Sequence, residues 1–232
     1  MGSSSRALVT RVQPSIIAES PSQLTYRLAH LSTDFQTFHL DVMVPPRVPN
    51  RSLIFDGADR MLSSFETDAD YSVHVMANRP MEDYISKVSP GLLARIRSII
   101  VPCEIGQEEF AKVAEYVRGR VMGLGLAMDP STRLEEGLRF IELYHPDEVL
   151  VMGVPSGAEG QKISEDQLEI VDRLRKSRFK GIVGFDGGVN ANTIGRIAEV
   201  RPDYVVSGSF VARAKSKIDA ALYLQQRLDE WA

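Results

Sequence analysis

Two histidines and two aspartates carry the chemical content of this sequence: His39 and Asp41 in FHLDVM, His74 in YSVHVM and Asp186 in GFDGGVN. Each stands at the end of a short apolar run with the character of a β-strand, and the three runs are far apart in the chain. Imidazole nitrogens and carboxylate oxygens together suit one divalent cation, while the same carboxylates can take up and return protons. One such residue at a strand end is ordinarily structural. Four of them point to an enzyme.

The elements that must position these side chains follow from periodicity. Short β-rich runs begin at Val12, Thr37, Tyr71, Arg97, Met122, Glu148, Gly181 and Asp203, and segments of helical period lie between them, such as 108–119, 132–144 and 164–177. Thr132 with Glu135, and Ser164 with Gln167, have the spacing of a capping box and predict helix starts. A strand-plus-helix unit recurs every 22 to 34 residues or so, and nearly continuous apolar strands suit a parallel sheet covered on its outer face. Eight such units predict a single-domain α/β protein, a (β/α)8 barrel over 11–232 behind a flexible polar lead at 1–10. In that architecture reactive residues gather at the C-terminal ends of the strands. Ser15, His39, Asp41, His74, Met152, Asp186, Gly208 and Ser209 are therefore expected at one mouth. His39, Asp41 and Met43 alternate with period two and share a face, as do His74 and Met76.

Composition narrows the partners. Against 31 acidic residues stand 27 basic ones, so the net charge of -4 gives no footprint for nucleic acid or an anionic membrane. No uncharged apolar stretch approaches the roughly 20 residues that cross a bilayer. The lone Cys103 cannot build a disulfide framework and reads as a small buried residue. A soluble cytoplasmic protein acting on a small molecule is the expectation.

Across nearly its full length the chain resembles the ribulose-phosphate 3-epimerase family. The matching motifs are PSI at 14–16, HLDVM at 39–43 with VPN at 48–50, VHVM at 73–76, GLAMDPST at 125–132, VLVM at 149–152, GQK at 160–162, DGGVN at 186–190 and SGS at 207–209. The resemblance implies a ribulose-phosphate-binding TIM barrel in which His39, Asp41, His74 and Asp186 hold one divalent metal ion. Mixed nitrogen and oxygen ligands suit Zn²⁺, Fe²⁺, Mn²⁺ or Co²⁺. It implies further that Asp41 and Asp186 exchange protons with opposite faces of a ketose phosphate through a metal-stabilised enediolate, inverting C3. Met43, Met76 and Met152 match positions that line the reacting carbons, where thioethers form a polarisable wall. A homo-oligomer is also implied.

Glycine-rich turns can cradle a phosphate through backbone N–H groups. Gly187, Gly188, Gly208 and Ser209, after the last two strands, are the expected contacts, and by resemblance the loop from Gly157 to Gly160 and Ser15 complete the grip. Two loops depart from the family. After Met43 the chain reads VPPRVPN, where Arg47 is expected as a solvated rim charge, and after the sixth strand it reads PSGAEGQ, with Glu159 near the phosphate position. The substrate expected first is D-ribulose 5-phosphate, converted to D-xylulose 5-phosphate. The alternatives are another ketose phosphate, such as a hexulose 6-phosphate, and a non-catalytic metal- or ligand-binding barrel. Related barrels that decarboxylate or condense sugars carry an Asp-x-Lys-x-x-Asp pattern, but here Met43 stands where the lysine would be.

Overall fold

Parallel strands cannot be joined by tight turns, so a chain of alternating strand and helix patterns must cross back outside its sheet each time. The computed structural model describes residues 11–231 except 19, 32–34, 53–57, 65–68 and 158–161. Its strands are β1 (Val12–Ile16), β2 (Thr37–Met43), β3 (Asp70–Met76), β4 (Ile96–Pro102), β5 (Gly123–Met128), β6 (Glu148–Met152), β7 (Ile182–Asp186) and β8 (Tyr204–Ser207). They match the eight apolar runs and close into a barrel in chain order, with β8 pairing back to β1. The crossovers carry α1 (Pro21–Leu31), α2 (Ala58–Ser64), α3 (Pro80–Asp83), α4 (Pro90–Leu93), α5 (Gln107–Arg118), α6 (Leu134–Tyr144), α7 (Glu165–Lys176) and α8 (Ile194–Glu199). After β8 come α9 (Ser209–Arg213) and α10 (Lys217–Asp229).

Two cores result from the alternation of side chains along each strand. Phe38, Leu40 and Val42 of β2 and Val73 and Val75 of β3 point outward into the layer shared with helix residues such as Phe110, Leu174 and Leu224. Inside the barrel a second cluster joins Ile100, Ala127, Leu150, Met152, Tyr204 and Val206. Gly184 pairs in register with Tyr204, and this absence of a side chain gives the tyrosine ring its room. The remaining inward positions of β2, at His39, Asp41 and Met43, are left for the site.

Register does much of the assembly. Asp41 lies directly across from His74 and Met43 from Met76, while Ser15 pairs with His39 and Met152 with Asp186. Helix starts differ from the sequence expectation in one place. The segment expected to start at Thr132 begins as α6 at Leu134 with Arg133 as its N-cap, because the Thr132 hydroxyl is engaged by Glu104 instead. Ser164 is the N-cap of α7 as the spacing suggests, but its side chain makes no capping hydrogen bond.

Candidate active site

His39, Asp41, His74 and Asp186 converge at the C-terminal end of the barrel, each offering one donor atom, and these atoms lie within 4.8 Å of one another. Asp41 Oδ1 is 3.4 Å from His39 Nε2 and 3.7 Å from His74 Nδ1, and Asp186 Oδ2 is 3.9 Å from His39 Nε2. The other Asp41 oxygen, Oδ2, accepts a 2.5 Å hydrogen bond from the Ser15 hydroxyl. That bond fixes the carboxylate and aims Oδ1 at the two rings.

Burial makes the arrangement demanding. Both histidines are fully buried, and neither ring nitrogen of either one, nor Asp41 Oδ1, has a hydrogen-bond partner among the described residues. Leaving a buried polar atom unsatisfied costs about 1–3 kcal/mol. Several such atoms facing one point are what a cation site presents before its ion is bound, and the nitrogen and carboxylate set fits a divalent transition ion.

The two carboxylates are driven apart in acidity. Burial pushes Asp41 up, yet the charge of His39, and after it the close His74 ring, outweigh this and hold the acid well below the usual carboxylate range. Asp186 is pushed up to about 7 by burial and by repulsion from Asp41, with His39 opposing. For His39, burial lowers the pKa, but Asp41, and beyond it Asp186 and Glu148, raise it above the ordinary value.

Above these groups opens a cavity of about 400 Å³, lined among others by Ser15, Asp41, Met43, Met76, Met152, Gly157, Asp186, Gly187, Gly188, Gly208 and Ser209. All the described sequence candidates thus meet there, with His39 and His74 buried beneath. Gly160 and Glu159 lie outside the described residues. Gly187 and Gly188 both take positive φ, 99° and 69°, and a Cβ on Gly187 would stand 2.6 Å from a Val154 methyl, so this turn excludes larger residues. Gly157, at φ 80°, packs so closely on Val48 that its own Cβ would come within 2.9 Å. Its carbonyl accepts from the Asn50 side-chain amide at 2.9 Å, which ties the loop after β2 to the loop after β6.

Arg47 corrects an expectation. It is not a solvated rim charge: its guanidinium is half-buried and paired with Glu104 at 2.9 Å, with Asp129 at 4.0 Å. Glu104 also accepts from Thr132, and Asp129 holds the Ser156 amide and hydroxyl at 2.9 and 2.7 Å. The proline-rich loop is therefore clamped to the loops after β4, β5 and β6. Sequence reasoning also missed Gln23, Arg27, Asn50 and Asn190 in the cavity lining. Asn50 and Asn190 stood inside matched motifs, VPN and DGGVN, which was the available signal; α1 offered none. Cys103 is buried as expected, and burial, followed by the nearby Glu104, pushes its thiol up to about 12, so it stays an unreactive thiol.

A ribulose-phosphate 3-epimerase of Encephalitozoon cuniculi is 32% identical over 225 residues, covering 97% of this chain and 96% of the relative. The cytoplasmic isoform of the same enzyme from Oryza sativa is 28% identical, covering 88% of each chain. Among solved structures, 3-hexulose-6-phosphate synthase from Salmonella typhimurium superposes with a TM-score of 0.68 at 14% identity, covering 95% of this chain and 99% of that one, and so speaks for the barrel alone. The model of the ribulose-phosphate 3 epimerase family matches residues 11–212, and the chain belongs to that family of carbohydrate isomerases.

Proposed function

We propose that the protein epimerises a ketose phosphate at C3, interconverting D-ribulose 5-phosphate and D-xylulose 5-phosphate. The observation that carries this reading is the convergence of two buried histidines with unpaired nitrogens and two carboxylates beneath one cavity, in a chain of this family. His39, Asp41, His74 and Asp186 would hold one divalent ion, Zn²⁺, Fe²⁺, Mn²⁺ or Co²⁺. When bound, such an ion withdraws electrons from the substrate oxygens beside C3 and so acidifies a weak carbon acid.

The chain's own residues supply the rest. Epimerisation needs a proton removed from one face of C3 and another delivered to the opposite face, hence two acid/base groups. Asp41 and Asp186 come from β2 and β7, on different sides of the cavity, and the direction of reaction decides which of them is the base. Ser15 orients Asp41 by its hydrogen bond. Met43, Met76 and Met152 close the wall beside the reacting carbons and keep water from quenching the carbanion. Backbone groups at Gly157, Gly187, Gly188, Gly208 and Ser209 receive the phosphate end.

A cytoplasmic location belongs to the same reading, supported by the rice relative's name and by the absence, among the described residues, of any helix long and apolar enough to cross a membrane. So does a symmetric homo-oligomer, the commonest form of soluble assembly. A coupled assay for xylulose 5-phosphate, run on metal-loaded and chelator-stripped protein, tests the function. Metal-dependent turnover is expected. A protein that binds metal but leaves ribulose 5-phosphate untouched would refute it. The clamp that Arg47 imposes on the loop after β2 makes a hexulose 6-phosphate the substrate to assay alongside.

A further inference from the structure

The described half-buried arginines are Arg11, Arg27, Arg47, Arg95 and Arg175, and four of them have an evident purpose. Arg11 donates to the Asp203 carbonyl at 2.9 Å, Arg47 pairs with Glu104, Arg95 donates to the Leu62 and Ala69 carbonyls at 2.8 and 2.9 Å, and Arg175 donates to the Arg201 carbonyl at 2.8 Å. Arg27, on α1, has neither a hydrogen bond nor an ion pair among the described residues, and it lines the site cavity. A guanidinium that gives up part of its hydration without a protein partner is suited to a ligand anion, which its planar fork of donors can hold in two places at once.

Topology and charge say which end of the ligand that is. The barrel closes β8 against β1, the strand that α1 follows, and Gly208 and Ser209 after β8 line the same cavity as Arg27. Gly187 and Gly188 of the neighbouring turn line it too. Among the described residues, the other charged ones lining the cavity are Asp41 and Asp186, which a divalent ion would neutralise. Without Arg27 the described lining would then be neutral towards a phosphate dianion; with it, that lining is positive.

We infer that Arg27 is a phosphate-binding residue of this site, adding a fixed cation to a cradle otherwise made of uncharged backbone groups. The inference rests on the reading of the site as one for a phosphorylated ketose. Charge-assisted hydrogen bonds from a guanidinium to phosphate set the expected effect of its removal at roughly ten- to a hundredfold in affinity.

The test is calorimetric titration of the metal-loaded protein with inorganic phosphate and with D-ribulose 5-phosphate, on the unaltered chain and on Arg27→Gln and Arg27→Lys, with circular dichroism to establish that each variant folds. Arg27→Gln should weaken both ligands by about ten- to a hundredfold, and Arg27→Lys, which keeps the charge but loses the fork, should recover part of the loss. Equal binding of both ligands by Arg27→Gln and the unaltered chain, with epimerisation intact, would overturn the inference and leave the epimerase reading standing. Arg27-dependent binding of inorganic phosphate by a protein that fails to turn over ribulose 5-phosphate would support the inference and overturn the epimerase reading.

Discussion

Two clusters of polar side chains are buried within this barrel, one at each end, and they are built on opposite principles. At the N-terminal end lie Gln13, Ser72, Ser98, Glu148 and Tyr204, in the lower halves of their strands. Ser98 donates to Ser72 at 3.2 Å and Tyr204 donates to Glu148 at 3.4 Å. Burial raises the Glu148 pKa and pushes Tyr204 well above its ordinary value, because it disfavours the charged form of each. At the C-terminal end the ring nitrogens of both histidines have no hydrogen-bond partner among the described residues, and Asp41 is held ionised. The lower cluster pairs its hydroxyls internally and leaves Gln13 Oε1 and Glu148 Oε1 without a partner among the described residues; the upper one gathers its unpaired atoms around a single point beneath the cavity. Burial alone does not mark a functional site. Unpaired groups that open on a cavity do.

The largest effects should come from breaking the upper cluster. Asp186→Asn keeps the shape but removes one of the two proton carriers, and turnover should fall at least a thousandfold in steady-state assays even with metal supplied. Near-normal turnover would remove Asp186 from the chemistry. Metal stripping should abolish activity as well. At a free concentration about a hundredfold above its Kd, the ion should raise the melting temperature by roughly 5–10 °C, from about 2.7 kcal/mol of linkage and the usual response of a chain this size. The same addition to His74→Ala should raise it far less.

A smaller effect concerns pH. The folded pKa of Asp186, about 7, exceeds its unfolded value, so between roughly pH 4 and 7 the native metal-free state binds the extra proton and stability falls as pH rises. His39 acts in the same direction: its pKa is raised, so its contribution is complete below the unfolded value near 6.5 and is lost as pH climbs through the folded one. Metal-free protein should therefore unfold at lower denaturant concentration at pH 8 than at pH 5, and Asp186→Asn should flatten that slope. A slope of the opposite sign would mean that neither proton is held. Smallest of all should be Glu148→Gln in the lower cluster. Burial already disfavours the charge of this carboxyl, so an amide of the same shape should shift stability at pH 7 by no more than about 1 kcal/mol, measured by urea unfolding, with turnover unaltered.

The same contrast explains what the amino-acid sequence discloses. The strands were legible because β-branched, apolar runs bounded by glycine and polar residues carry their signal locally, and the upper site was legible because period-two alternation puts His39, Asp41 and Met43 on one face. Closure then needed only register, which sets Asp41 against His74. Pairings across the sequence were not legible. Nothing near Arg47 announces Glu104, 57 positions away, and nothing near Thr132 announces that its hydroxyl will serve Glu104 rather than cap α6. Arg27 was hidden for the same reason, since the cavity it lines is shared with loops as distant in sequence as Gly187 and Gly208.

The most direct measurement follows the C3 proton itself. Metal-loaded protein in D₂O, given D-ribulose 5-phosphate and observed by ¹H NMR, should form xylulose 5-phosphate carrying deuterium at C3, because the carboxylate that protonates the second face exchanges with solvent. Asp186→Asn should form none while still binding metal. Xylulose 5-phosphate formed by Asp186→Asn at the rate of the unaltered chain would contradict proton transfer by the Asp41 and Asp186 pair, and so would no reaction at all from the unaltered metal-loaded protein.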